Sequence, residues 1–229
     1  MNRQGKGKIE WCDWSWSPVT GCYRRCFYCY ARRMAQRLKG RYGYPADDPF
    51  RPTFHPEKLT EPRKAKKPSR IFVCSQGELF AEDQDDWVKH VLAVMECCPQ
   101  HQFLFLTKNY EQLVRWNPWP DNAWVGASAT STGEFIVAHK NLIRVNAKVK
   151  FISFEPLRER IIHPWLSECA DWVIIGAMTG PKAKANAPRL EWIEEILVAA
   201  AEASIPVFMK DNLRQHFLGL LLRQEFPDA

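Results

Sequence analysis

From residue 70 onward the chain alternates short β-branched and aromatic runs with longer amphipathic stretches. RIFVC, QFLFLT, AWVGAS, VKFISF, DWVIIGA and PVFMK read as strands, and DDWVKHVLAVMECC, EFIVAHKNLIRVN and LEWIEEILVAAAEA as helices between them. Strands separated by helices pair in parallel, because a helix carries the chain back across a sheet face and a tight turn does not. A further strand is expected between Trp14 and Val19. The expectation is an α/β fold of six or seven parallel strands with outer helices, either an open doubly wound sheet or a partial (β/α) barrel; periodicity does not separate the two. The chain has 229 residues, enough for one sizeable core, so residues 1–229 read as a single domain.

In parallel α/β architectures the carboxyl ends of the strands carry the site. Nearly every strand here ends on polar residues: Ser75, Gln76 and Glu78; Thr107 and Lys108; Ser128; Glu155; Thr179; Lys210 and Asp211. These positions would ring one mouth. The sequence has neither a G-x-G-x-x-G turn nor a P-loop, which removes the common nucleotide-binding fingerprints. No apolar run approaches the eighteen or so residues of a membrane span, and MNRQGKGKIE lacks the apolar stretch of a signal peptide, so the expected setting is a reducing cytoplasm.

Charge is distributed unevenly. Residues 1–70 carry seventeen Lys and Arg against six Asp and Glu, and the remainder carries fifteen against twenty. A basic N-terminal third suggests a face offered to a polyanion such as nucleic acid; the plainer reading is a solvated helix surface.

Of the eight cysteines, Cys22, Cys26 and Cys29 form the one tight cluster, C-x3-C-x2-C. Structural zinc wants four protein ligands, usually as two separated pairs, and no second pair or H-x3-H follows. A cubane iron–sulfur cluster held by three thiolates keeps one iron open for chemistry unless a distant cysteine closes it. Cys12, Cys97, Cys98 and Cys169 read as small core residues, and Trp11, Trp14 and Trp16 as strand packing.

The spacing, with Tyr28 just before the third cysteine, resembles the radical S-adenosylmethionine (SAM) superfamily. KIEWCDWSWSPVTGC, CFYCYA, IFVCSQGELFAED, FLTK, WVGAS, ISFEPL and WVIIG extend the resemblance along nearly the whole chain, to a phage-associated radical-SAM-like family that opens with E-W-x-D-x-S-W-N-P-V-x-G-C. Two departures stand out: Ser17 replaces the usual Asn, and GAMTGPKAKA replaces a Gly-Gly-Glu-Ser-Gly-Pro-like run.

The resemblance implies a radical-SAM partial barrel, a [4Fe-4S] cluster on Cys22, Cys26 and Cys29, and reductive cleavage of SAM to a 5′-deoxyadenosyl radical. It implies that Gly77 and Glu78 engage the cofactor's amino group and that Ser128 and Glu155 contact its ribose and methionine portions. Lys108 and Lys210 are candidates for its carboxylate or a substrate phosphate, and Cys74 for a hydrogen-atom donor, against plainer readings as solvated lysines and a buried thiol. Tyr23, Phe27, Tyr28 and Tyr30 are expected to shield the cluster. Phage-encoded relatives imply modification of a nucleic-acid base, of an isomerase or thymine-hypermodifying kind, with an external electron donor and, for a phage protein, the host cytoplasm. The competing class is a metal-stapled nucleic-acid-binding module without catalysis.

Overall fold

A computed structural model of the chain describes residues 1–217 and 219–228. Its strands are β1 (Asn2–Arg3), β2 (Trp14–Trp16), β3 (Val19–Thr20), β4 (Thr53–Phe54), β5 (Arg70–Val73), β6 (Gln102–Thr107), β7 (Ala123–Ser128), β8 (Val149–Phe154), β9 (Trp172–Ile175) and β10 (Val207–Met209). Its α-helices are α1 (Tyr30–Arg37), α2 (Asp85–Glu96), α3 (Tyr110–Leu113), α4 (Thr132–Leu142), α5 (Leu166–Cys169) and α6 (Leu190–Glu202).

The main sheet runs β1-β2-β5-β6-β7-β8-β9-β10 and curls into a partial barrel, with every pairing parallel except the antiparallel edge β1–β2. The seven parallel strands are those expected, and of the two open architectures the chain adopts the barrel. The strand expected between Trp14 and Val19 is divided at Ser17-Pro18: β2 joins the main sheet and β3 pairs with β4 in a two-stranded sheet. Proline has no N–H to give a ladder, so the chain changes sheets there.

Side chains of a strand alternate between faces, and here each face has its own core. Ile71, Val73, Phe103, Phe105, Val125, Ala127, Ile152, Phe154, Val173 and Ile175 pack outward with α2, α4 and α6. Phe72, Leu104, Trp124, Phe151, Trp172, Ile174 and Phe208 point inward and meet Trp11 from the segment before β2. Trp172 is the hub of that inner layer, with ring centroids 6.3 Å from Trp11, 5.7 Å from Trp124 and 5.5 Å from Phe151. Its indole Nε1 donates to the Glu225 carbonyl at 2.9 Å, so the ring is buried with its polar edge satisfied. No helix among the described residues is long and apolar enough to cross a membrane.

Removing this hub leaves a void that five aromatic neighbours cannot all collapse into. Trp172→Ala is expected to lower unfolding free energy by about 3–5 kcal/mol in urea titrations.

Candidate functional site

The inward register of the strands continues past the aromatic layer, and its character changes. Two residues beyond Trp124 and Gly126 comes Ser128, two beyond Phe151 and Ser153 comes Glu155, and two beyond Phe208 comes Lys210. The alternation that packs the barrel floor thus delivers polar groups at the carboxyl ends of the same strands. Above the floor lies a cavity of about 250 Å³. Cys22, Cys26, Cys29, Cys74, Gly77, Glu78, Lys108, Ser128, Glu155 and Lys210 line it, with Ser75, Thr107 and Thr179, whereas Gln76 and Asp211, also expected at the mouth, do not.

The cysteine loop reaches the cavity because its root is stitched to the β5 turn. The Gly21 N–H donates to the Gln76 carbonyl, and the Glu78 N–H donates to the Gly21 carbonyl, each at 3.0 Å. Such an approach excludes side chains: a Cβ on Gly77 would lie 2.9 Å from the Gly21 oxygen and the Thr20 Cα, and one on Gly21, whose φ is +85°, would lie 2.3 Å from the Arg51 oxygen. Beyond the stitch, the Cys22 N–H donates to the Phe50 carbonyl at 3.0 Å, and Cys29 caps α1 by accepting the Arg32 N–H at sulfur, 3.4 Å away. The Arg24 N–H donates to the Cys22 sulfur at 3.2 Å.

Arginines that looked free in the sequence are partly spent on this loop. Arg24 donates to the Lys108 carbonyl and Asn109 Oδ1, both at 2.9 Å. Arg32 donates to the Cys22 and Arg24 carbonyls at 3.1 Å, and Arg33 to those of Tyr28 at 3.2 Å and Thr179 at 3.3 Å. These three are therefore clamps on the loop backbone more than free surface charge, while Arg25, Arg37, Lys39 and Arg41 stay exposed. The aromatic residues of the loop also divide: Tyr28 and Tyr30 wall the cavity, Tyr30 still 45% exposed, whereas Tyr23, 68% exposed, and Phe27, 49% exposed, do not line it.

The donor set suits an iron–sulfur cluster. Three thiols from one loop face one cavity, and two of the sulfurs already accept backbone N–H bonds. Among the described residues no three His, Cys, Asp or Glu side chains are gathered closely enough to share a single ion; a cluster instead places each thiolate on a different iron. Burial pushes the Cys22 thiol up to about 11, so metal binding there has to displace a proton.

The other groups are arranged as partnered charges. Glu78 is buried, which raises its carboxyl, and it accepts from Thr107 Oγ1 at 2.8 Å and from the Phe80 N–H at 3.0 Å. Lys210 pairs with Glu155; burial alone would depress the ammonium, but Glu155, with Glu10 nearby, holds it above the ordinary lysine range. Lys108 is pulled down by burial although it donates to Glu134 Oε2 at 2.5 Å. Cys74 sits at φ +57° with its thiol pushed up to about 12 by burial, so it remains protonated at neutral pH.

Glu134 was not among the residues singled out from the sequence. Its signal was Ser131-Thr132-Gly133-Glu134 before an apolar run, a capping-box spacing in which Ser131 caps α4 and Glu134 turns back to the Thr130 N–H at 2.7 Å. Trp11, Phe72, Leu106 and Met178 also line the cavity; the inward register identifies the last three, and Trp11 enters from the turn before β2.

The stretch from residue 6 to residue 216 matches the family described as Protein of unknown function (DUF5131). The chain belongs to that family. No curated protein matches it. Among solved structures, a mutant of spore photoproduct lyase matches this DUF5131 chain with a TM-score of 0.55 and 11% identity, over 94% of this chain and 77% of that one. A double mutant of the same lyase, with bound AdoMet and dinucleoside spore photoproduct, matches with a TM-score of 0.52 and 12% identity, over 79% of this chain and 59% of that one. The lyase complexed with dinucleoside spore photoproduct gives 0.49 and 13%, over 69% of this chain and 54% of that one. The DUF5131 chain therefore spans little more than half of two of these lyase chains. The likeness is one of fold.

Two outcomes follow from the geometry. Gly77→Ala forces the loop root off the β5 turn and is expected to cost about 1–3 kcal/mol, with faster proteolysis between residues 20 and 34. Lys210→Met leaves the Glu155 carboxylate without its partner and is expected to destabilise by about 1–3 kcal/mol at pH 8. Because the folded value of Lys210 is raised, its contribution is complete below the unfolded lysine value near pH ~10.4 and is lost as pH rises through the folded value. The gap between wild type and Lys210→Met in thermal melts should close there.

Proposed function

We propose that this chain is a radical SAM enzyme that modifies or rearranges a nucleic-acid base. The observation that carries the reading is the convergence, on one cavity at the strand carboxyl ends, of the three cysteines with Glu78, Ser128, Glu155 and Lys210. In support, a structural neighbour of the same fold holds AdoMet and a dinucleoside. When bound, a reduced [4Fe-4S] cluster on Cys22, Cys26 and Cys29 together with SAM supplies a 5′-deoxyadenosyl radical.

The chain's own groups prepare that site. Thr107 and the Phe80 N–H fix the Glu78 carboxylate as an acceptor facing the cavity wall where the loop is stitched, placed for an ammonium group. Lys210, kept cationic by Glu155, offers a fixed positive charge for a carboxylate or phosphate. Leu106, Phe72 and Met178 exclude water from the interior. Cys74 packs in the outer core and borders the cavity; as a hydrogen-atom donor it would give its S–H hydrogen to a carbon radical and be left a thiyl, returned to the thiol by an electron from the external donor and a proton. The substrate class follows from the resemblance to phage-associated proteins and favours an isomerase-type or hypermodifying reaction on thymine in viral DNA, served by an external electron donor in the host cytoplasm. We read residues 1–229 as one domain for this purpose.

Anaerobically reconstituted protein is expected to hold about 4 Fe and matching sulfide per chain and, with dithionite, to release 5′-deoxyadenosine. Cys22→Ala, Cys26→Ala and Cys29→Ala should each abolish the brown chromophore and the product. Stoichiometric zinc with no SAM cleavage would instead identify the metal-stapled binding module. Mass spectrometry of nucleosides from cells with and without the gene should show a new mass or a resolved isomer.

A further inference from the structure

We propose that Phe27, bracketed by Arg158 and Lys182 at the mouth of the cavity, is a stacking platform on which single-stranded DNA lies while one base enters. The inference rests on the nucleic-acid reading above and names the surface that would carry it. Three segments distant in sequence build the feature: the cysteine loop, the loop after β8 and the loop after β9. The Arg158 guanidinium lies over the Phe27 ring, 4.9 Å from its centroid, and the Lys182 ammonium over the same ring at 5.6 Å. Tyr28, which lines the cavity, meets Phe27 edge-on at 5.2 Å, so the platform adjoins the interior directly.

Two further observations point to a polyanion with flat bases. Neither Arg158 nor Lys182 forms an ion pair with a carboxylate among the described residues, although most other cations near the site are committed to carboxylates or carbonyls. Tyr23 and Arg24 of the loop border a cleft that also holds Glu82, Asp83 and Glu111, none of them ion-paired with a basic side chain among the described residues, whereas Glu134 there is paired with Lys108; the three acids disfavour a phosphate chain on that flank. A half-exposed aromatic ring lying under cations that carry no carboxylate suits alternating base stacking and phosphate contact, the base stacking on the guanidinium plane or taking a cation's place over the ring, whereas a duplex keeps its base faces covered. DNA is the occupant we assign because the base-modifying reading on which this rests takes its base from DNA, and RNA is an outcome of the test; Arg158 is steadied meanwhile by donating to the Thr130 hydroxyl at 3.4 Å. Lys182 belongs to GAMTGPKAKA, the segment in which this sequence departs from the family it resembles.

The test is fluorescence anisotropy of a labelled DNA single strand of roughly twelve nucleotides with the reconstituted protein across a salt series. Phe27→Ala is expected to weaken binding by about 5- to 100-fold, with Phe27→Tyr restoring it. Arg158→Gln and Lys182→Gln, which lie outside the cysteine loop, should each flatten the slope of log affinity against log salt by about 0.7 and so decide the matter even where Phe27→Ala fails to fold. Binding unchanged by the Arg158 and Lys182 substitutions, a duplex preferred to the single strand, or RNA bound about tenfold tighter than DNA would overturn the platform. Measuring 5′-deoxyadenosine in the same preparations separates the two readings. SAM cleavage with DNA binding indifferent to all three positions removes the platform and keeps the enzyme, and DNA binding that follows the predictions without SAM cleavage does the reverse.

Discussion

Everything proposed for the cavity depends on two backbone hydrogen bonds between Gly21 and the turn after β5. A loop with three cysteines between β3 and α1 would otherwise be an arm whose sulfurs sweep a large volume, and ordering it around a ligand would cost conformational entropy for every residue held. The parallel bridge of Gly21 with Gly77 charges that entropy to folding instead. Neighbouring contacts brace the same root: Thr20 Oγ1 lies 2.8 Å from His55 Nε2, and the Cys74 N–H donates to the Trp16 carbonyl at 2.7 Å. The cysteines are therefore positioned by the sheet rather than by one another.

A second constraint is the strict inward and outward alternation of the strands. One register buries large aromatics at the amino ends and polar residues at the carboxyl ends, so packing and chemistry share the same side-chain parity. A one-residue slip in β8 would turn Glu155 toward the helices and Phe154 into the cavity, losing both at once. Pairing between Lys210 and Glu155 fits this arrangement, since strands β8 and β10 do not hydrogen-bond to each other and flank β9.

The central strands were legible because buried parallel strands are nearly continuous apolar runs: QFLFLT, AWVGAS and VKFISF coincide with β6, β7 and β8. The edge β1 and the pair β3–β4 were not, because two-residue strands have no period to detect. That polar strand ends would border one cavity was legible from architecture, with Gln76 and Asp211 as the exceptions. The Lys108–Glu134 link was not, since it depends on side-chain reach between a strand end and the following helix. Charge was the least transferable signal. Arg24, Arg32 and Arg33 count toward the basic total, yet their guanidiniums hold carbonyl groups, and Lys182, from the acidic remainder of the chain, stands at the mouth.

The tryptophan-rich floor has a bearing on traffic. With Trp11, Trp124 and Trp172 filling the barrel beneath the cavity, that end offers no passage, and molecules enter and leave over the cysteine-loop rim. Under the proposed reading, a small ligand seated deep against the floor would arrive before a polymer lay across the rim and depart after it. Such a chamber would act as a last-in, first-out stack, with turnover paced by how quickly the larger partner lifts away.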